Sequence, residues 1–361
     1  MLRRLYSVPM KLLEQLVLTP GVPGREHRVR KLIEREVKSL FDEARTDALG
    51  SLICVRKARP KSGASKKIKP TRIMLAAHMD QIGFFVRHID DKGFLRLNAA
   101  GGFDTRNLFA RFVTVCPDTE QPAHDLIGVM NPGGKPIHIA SDEEKKKIPE
   151  IADLVVDLGM PADQVKEKVK IGDMVVIQSP FMEVGNTVVS QCLDNRVACW
   201  LAVRAIHDLE HHDCEVYAVF TTQEEVGLRG AGTAAYAVEP DVGIALDVTL
   251  CVDTPGVPDD QRVTAQGEGA ALTVMDGSSI ADLKLLDEME AVAKRHKIKH
   301  QRSILMRGGT DAGTIQRARA GARTFTLSCP TRYIHTVTEM VHKEDLYACR
   351  DLLTAYLEQA G

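Results

Sequence analysis

Seven residues of this chain combine useful chemistry with suggestive placement: His78 and Asp80 in "HMD", Asp194 in "LDNR", the adjacent pair Glu224 and Glu225 in "TTQEEVG", Asp247 in "ALDVT", and His335 in "TRYIH". Two imidazoles with several carboxylates and no thiolate form a donor set that suits zinc, cobalt or manganese. One catalytic zinc takes about three protein ligands. With one glutamate set aside as a base and Asp80 as an imidazole partner, the remaining residues suit two ions sharing a bridging carboxylate. Such a pair can activate a water and stabilise a developing oxyanion. An isolated Glu-Glu pair would be a solvated loop, because neighbouring carboxylates repel. A metal site gives the pair a purpose, since a carboxylate that ligates two cations cannot also be a good base. The residues alone leave open which glutamate does which. In "HMD", Asp80 is placed to accept the second imidazole N–H of His78, which would fix its tautomer and raise its basicity.

These residues need a scaffold that brings them together. "IMLAA" (73–77) precedes His78, "VYAVF" (216–220) precedes the glutamates, "VGIAL" (242–246) precedes Asp247, and "RTFTLS" (323–328) leads towards His335. Continuous apolar runs of this length mark strands buried on both faces, and open α/β sheets bind ligands beyond the carboxyl ends of their strands. Asp194 opens a helix expected over about 195–209. Val29, Leu32, Ile33, Val37, Leu40 and Phe41 give a helix over about 25–41. From Asp194 onward strands and helices alternate, closing with a helix in "DLYACRDLLTAYLEQ", a pattern that implies a mostly parallel sheet flanked by helices. From about Phe84 to Val176 the texture changes to short alternating segments ("FFVRHI", "FLRLN", "RFVTV", "DLIGVM") broken by Gly, Pro and Asp. The expected fold class is therefore α/β, with residues 1–83 and 177–361 forming a catalytic domain and 84–176 a small inserted antiparallel β domain.

Composition bounds the function. At 44% hydrophobic and 27% charged residues the chain is ordinary globular protein, and a formal net charge of −2 provides no global field for nucleic acid. Residues 56–72 carry only positive charges, but no aromatic residue interleaves them, so a solvated hairpin loop is expected. The charged run "SDEEKKKIPE" is expected to be a solvated face. "HHDC" (211–214) is expected to be a surface loop, with Cys192 and Cys329 as small buried side chains. Eight scattered cysteines without a C-x-x-C pair, a start lacking an apolar signal core, and no run of about 20 apolar residues point to a soluble cytoplasmic protein without membrane or nucleic-acid partners. "GGTDAG" (308–313) lacks the Lys-Ser/Thr of a phosphate loop and reads from its residues as a tight strand-to-helix turn.

The motifs "AHMDQIGF", "GGFDTR", "LDNRV", "QEEVGLRGA", "ALDVT", "GGTDAGTI" and "PTRYIHT" run in the same order as in the tetrahedral (TET) dinuclear metallo-aminopeptidases, the glutamyl aminopeptidase family with its endoglucanase-like and frv-operon relatives. The chain resembles that family over nearly its whole length. The resemblance implies a zinc-exopeptidase-like catalytic domain, a barrel-like inserted domain and two divalent ions, zinc or cobalt before manganese. One ion would be held by His78, Asp194 and Asp247, the other by Asp194, Glu225 and His335, with Asp194 as the bridge. Glu224 becomes the general base and Asp80 the partner of His78. Peptides are the implied substrates. The inserted domain is implied to mediate dimerisation, and dimers to build a hollow dodecamer. The chain departs from the family pattern at Gln81, where an acidic residue is usual, at Glu268, where lysine is common, and at Ala198, where glycine is usual. Other functions weighed on the same residues are a deacylase or carboxypeptidase and a non-catalytic assembly protein. Glycoside hydrolysis would use two carboxylates but leave the histidines without a role.

Overall fold

The computed structural model describes residues 10–61 and 69–361, so the middle of the basic run 56–72 lies outside the described residues. Four parallel strands form the centre of the main sheet, in the order Glu215–Thr221, Arg72–His78, Val242–Leu250 and Arg323–Arg332. Their pleat explains the unbroken apolar runs. Ile73, Leu75 and Ala77 point into the larger core, while Met74 and Ala76 point into a smaller one on the opposite face. The larger core holds the helices Lys11–Leu18, His27–Val37, Leu193–Asp208, Leu283–His296 and Lys343–Leu357. The smaller is closed by Arg229–Val238 and Ala312–Gln316. Trp200 is among the fully buried side chains, and burial of a large apolar side chain stabilises by about 1.5–3 kcal/mol.

The sheet is mixed at its flanks. Leu52–Arg56 and Glu43–Thr46 extend one side antiparallel. Glu339–His342, Thr187–Ser190 and Met182–Val184 extend the other, also antiparallel. Ala270–Met275 pairs antiparallel with Arg323–Arg332 and carries His300–Ile304 on its outer edge. The sequence reading included neither the strands Glu43–Thr46, Met182–Val184, Thr187–Ser190 and Glu339–His342 nor the helix Lys11–Leu18; segments of three to eight residues offer too few turns or pleats for a clear period.

The inserted domain is a closed six-stranded antiparallel barrel, running from Gly83–Ile89 to Met174–Ile177. It has its own core, with Phe84, Val86, Leu97, Val113 and Val115 inside. Arg28, on the helix His27–Val37, ties it to the main sheet. Its guanidinium donates to both carboxylate oxygens of Asp125 (2.7 and 2.8 Å) and to the carbonyls of Asp118 and Thr119. "SDEEKKKIPE" is almost entirely exposed, as expected. The "HHDC" segment differs from expectation: His212 is buried, hydrogen-bonded to Arg56 and to the Cys214 carbonyl, because it bridges to Arg59 beside the sheet.

Candidate metal centre

The parallel register brings the candidates to one rim. His78 ends its strand directly opposite Thr221, so the chain leaving Thr221 carries Glu224 and Glu225 past the imidazole. Asp247 lies in the next strand, and Asn195 beside Asp194 donates to the Leu246 carbonyl at 2.9 Å, tying the start of that helix to the same strand. His78 Nε2 then lies 3.3 Å from Asp194 Oδ1, 3.6 Å from Glu224 Oε2 and 4.0 Å from Asp247 Oδ1. His335 Nε2 lies 3.4 Å from Asp194 Oδ2 and 3.5 Å from Glu225 Oε2. The two oxygens of Asp194 thus face two different imidazoles. All seven residues named from the sequence converge, and ligating atoms of His78, Glu224 and Asp247, and of His78, Asp194 and Glu225, form two clusters within 4.8 Å.

Two buried carboxylates, Asp80 of the seven and Glu339 beyond them, hold the backbone around these side chains. Asp80 accepts the main-chain N–H of Glu224 on one oxygen and that of Glu225 on the other, both at 3.0 Å. Glu339 does the same for Asp194 (3.0 Å) and His335 (2.8 Å). Asp80 also serves His78, but mainly through its main chain: His78 Nδ1–H donates to the Asp80 carbonyl at 3.1 Å, with Oδ1 at 3.6 Å. A carbonyl can only accept, so this contact puts a proton on Nδ1 and makes Nε2, which faces the carboxylates, the nitrogen that a metal would take. The expected carboxylate–imidazole contact is the longer one because that carboxylate is engaged by the glutamate loop.

The local backbone is strained around the same residues. Cys192, Gln223, Leu228, Tyr333 and His335 all have φ between 56° and 63°, the left-handed region that costs a non-glycine residue about 1–3 kcal/mol. They flank Asp194, the glutamate pair and His335, and the hydrogen bonds to Asp80 and Glu339 help to hold these segments in place.

The electrostatics are those of crowded buried acids. Burial pushes the Glu224 and Asp247 carboxyls well above the usual range, with His78 pulling the other way. Burial and the neighbouring Asp194 push Glu225 up to about 8. Burial favours a neutral His335, but Asp194 and Glu225 outweigh it and raise the imidazole to about 9. His78 is likewise raised, by Glu224, Asp194 and Asp80 against burial. Asp194, between two imidazoles, is held below the ordinary carboxylate range despite its burial. Glu225 Oε1 is buried without a hydrogen-bond partner among the described residues. An unpartnered acceptor inside a nitrogen–oxygen donor cluster is what a divalent cation would satisfy, so the residues fit a metal.

A cavity of about 470 Å³ opens onto the centre, with Val248, Leu250, Leu305 and Ile334 in its walls beside Arg307 and the Gly308–Thr310 turn. "GGTDAG" is therefore a pocket wall as well as a turn. A second cleft, much narrower at about 20 Å³, reaches Asp194, Glu225 and His335 from the barrel side past Phe103 and Leu108. Glu339 and Asp311 were not singled out from the sequence. Glu339 stands four residues after His335, a spacing that carries no signal by itself. Asp311 accepts from Thr221 Oγ1 at 2.6 Å beneath the site, and burial raises its carboxyl to about 6. Of the departures, Gln81 accepts from the buried Arg196 at 3.2 Å, Ala198 is buried in the core, and Glu268 is exposed and lines neither cavity.

Fold and centre together define a hydrolase of the aminopeptidase class. The M42 glutamyl aminopeptidase family description matches residues 58–352, and the chain belongs to that family. An aminopeptidase from the archaeon Desulfurococcus kamchatkensis superposes with a TM-score of 0.89 at 36% identity, covering 97% of this chain and 94% of that one. The Pyrococcus horikoshii TET1 peptidase, described as assembling into a tetrahedron or a large octahedral shell, gives a TM-score of 0.83 at 30% identity over 96% of this chain and 98% of its own. The lysyl aminopeptidase of Pyrococcus furiosus is 32% identical over 359 residues, 98% of this chain and 97% of that one.

Proposed function

We propose that the chain removes N-terminal residues from peptides using two divalent ions, zinc or cobalt. His78, Asp194 and Asp247 would hold one, and Asp194, Glu225 and His335 the other. The observation that carries this reading is the placement of the two Asp194 oxygens against two different imidazoles, at 3.3 and 3.4 Å. When bound, the ions supply Lewis-acid polarisation of the scissile carbonyl and lower the pKa of the hydrolytic water. Glu224 takes the proton of the attacking water and returns it to the leaving amine, a role suited to a carboxyl whose proton affinity burial has raised. Asp80 positions both glutamates through their N–H groups and fixes the His78 tautomer.

The division into a catalytic unit (1–83 and 177–361) and an inserted dimerisation unit (84–176) is part of the same proposal. Phe112 and Val129, directly opposed on neighbouring barrel strands, and Ile127 beside them are exposed, an apolar patch that a second copy would cover. The resemblance to TET1 supports assembly of such dimers into a dodecamer. None of the eight cysteines forms a disulfide, and among the described residues no helix is long and apolar enough to cross a membrane. The unbridged thiols support a reducing, cytoplasmic setting.

The test is cleavage of free-amine peptides and their N-acetylated counterparts, before and after chelation and with zinc or cobalt added back. Cleavage of the free amines alone, lost on chelation and restored by metal, is the expected result. Cleavage of acylated substrates would point to a deacylase instead, and activity that survives complete chelation contradicts the metal reading.

A further inference from the structure

Asp80 does not hold the glutamate loop alone. Each residue from Thr221 to Glu225 donates to a buried carboxylate. Thr221 gives its hydroxyl to Asp311, and Glu224 and Glu225 give their N–H groups to Asp80. The two residues between them are held by Glu26, which is 2% exposed. Glu26 Oε1 accepts from Thr222 Oγ1 at 2.5 Å, from the Gln223 N–H at 3.1 Å and from the Gly24 N–H at 2.8 Å. Gln223 is one of the left-handed residues beside the centre (φ 56°), so its conformation persists only where the surroundings hold it.

The segment that carries Glu26 is seated on the inserted barrel. Val22 is buried in a small core with Cys116, Met174 and Val176, all from barrel strands. The fit has no slack, because a Cβ on Gly83, where the barrel begins, would lie 2.4 Å from Val22 Cγ1. The Arg25 guanidinium lies over the Phe85 ring, 5.6 Å from its centroid. Arg28 grips Asp125 and the carbonyls of Asp118 and Thr119. A tight turn joins these contacts: Arg25 N–H donates to the Val22 carbonyl at 2.8 Å, and Gly24 takes φ 76°, which turns its N–H onto Glu26. Residues that grip the barrel therefore stand on both sides of the one that grips the glutamate loop.

We propose that Glu26 is a positioning residue for Glu224 and Glu225, and that residues 22–28 transmit the seating of the barrel to them, an assignment that rests on the aminopeptidase reading above. The barrel is then part of what holds the base in register, as well as a surface for a second copy. The need for such holding is chemical. A proton-transferring group displaced by about 1 Å costs up to about 100-fold in rate, and Glu224 leaves a loop whose own conformation is strained. Position matters here more than charge, because all three donors meet one oxygen of Glu26, and an amide oxygen in the same place can accept them too.

The experiment is a mutant cycle on the metal-loaded full chain: wild type, Glu26→Gln, Glu26→Ala, Asp125→Ala and the double variant Glu26→Ala/Asp125→Ala. Two readouts are taken, kcat and KM on a free-amine peptide, and amide hydrogen exchange of residues 223–225 by mass spectrometry. Glu26→Ala should lower kcat about 10–100-fold with KM within about twofold, and Glu26→Gln should recover wild-type kcat to within about threefold. Asp125→Ala, on the barrel side, should lower kcat about three- to tenfold and speed exchange at 223–225, yet cost less than about twofold once Glu26 is already alanine. A kcat for Glu26→Ala within about twofold of wild type, or Glu26→Gln as damaging as Glu26→Ala, overturns the positioning role. An Asp125→Ala effect of equal factor in both backgrounds overturns the link to the barrel. Should an alanine variant fail to fold, Thr222→Val or Asp125→Asn takes its place under the same criteria. If wild type cleaves no peptide, the aminopeptidase reading fails by itself. The exchange data still decide the link: faster exchange at 223–225 in Asp125→Ala supports it, and unchanged exchange overturns it.

Discussion

Asp80 and Glu339 do the same thing on opposite sides of the centre. Each is a buried carboxylate whose two oxygens accept two main-chain N–H groups from residues that carry site side chains. Their reach differs. Asp80 holds the glutamate loop and also stands beside His78, so it touches the base and ligands of both proposed ions. Glu339 holds only Asp194 and His335, the bridge and one terminal ligand. Side-chain position in such a site is therefore set through backbone hydrogen bonds, and the damage done by losing a clamp should scale with the number of ligand-bearing segments it spans.

The largest effect is expected at the group that moves the proton. Glu224→Gln should lower kcat by about 10²–10⁴ while leaving two metal equivalents bound, because Glu224 is not a proposed ligand. Retained activity, or loss of a metal equivalent, would reassign it. Asp80→Asn comes next. An amide has only one accepting atom and sets an NH2 donor against the second N–H, so affinity for both ions should fall about 10–100-fold, read by competition with a chelating dye. Glu339→Gln should weaken metal binding by a similar factor of about 10–100 for the ion on the His335 side, where it holds two ligands, and by less for the other ion, where it holds only the bridge. Equal loss of both ions in the two variants would erase the distinction between the clamps.

The pH dependence is subtler and concerns the metal-free protein. Glu225 rises from an ordinary 4.5 to about 8, and His335 from 6.5 to about 9. Both folded values lie above the unfolded ones, so the folded chain binds more protons. These groups contribute stability that is fully present below the unfolded values and is lost as pH rises through about 8 and 9. Asp194, shifted downward, acts in the opposite sense only below an ordinary 3.8, outside this window. The Tm of chelated protein should fall as pH rises from about 5 to 9, and metal should remove most of that slope by occupying the deprotonated ligands. A Tm of the metal-free protein that rises across this range would contradict the charge arrangement.

Much of this was legible in the sequence because the central strands carry continuous apolar runs buried on both faces, and each run gives way to polar residues on the side of the centre. The run "IMLAA" locates His78, and "VYAVF" locates the glutamates, without knowledge of any contact. Arg307 and the Gly308–Thr310 wall could be suspected only as a glycine-rich turn. Glu339 could not be found, because it acts on main-chain N–H groups and its strand of four residues shows no period. The left-handed residues around the centre were hidden for a related reason: none of the five is glycine, so nothing in their identity marks the turn. His212 looked like loop polarity and is buried, since its partner Arg56 comes from a strand distant in sequence, while its other partner is the nearby Cys214 carbonyl.

The most direct test of the central claim is a metal titration of the chelated wild-type protein with zinc, followed by calorimetry and checked by elemental analysis. Two equivalents per subunit, with Glu339→Gln weakening chiefly the His335-side ion and Asp80→Asn weakening both, is the predicted result. A single equivalent in wild type, unaffected by Glu339→Gln, would mean that Asp194 does not bridge two ions, and the account of the centre would fall with it.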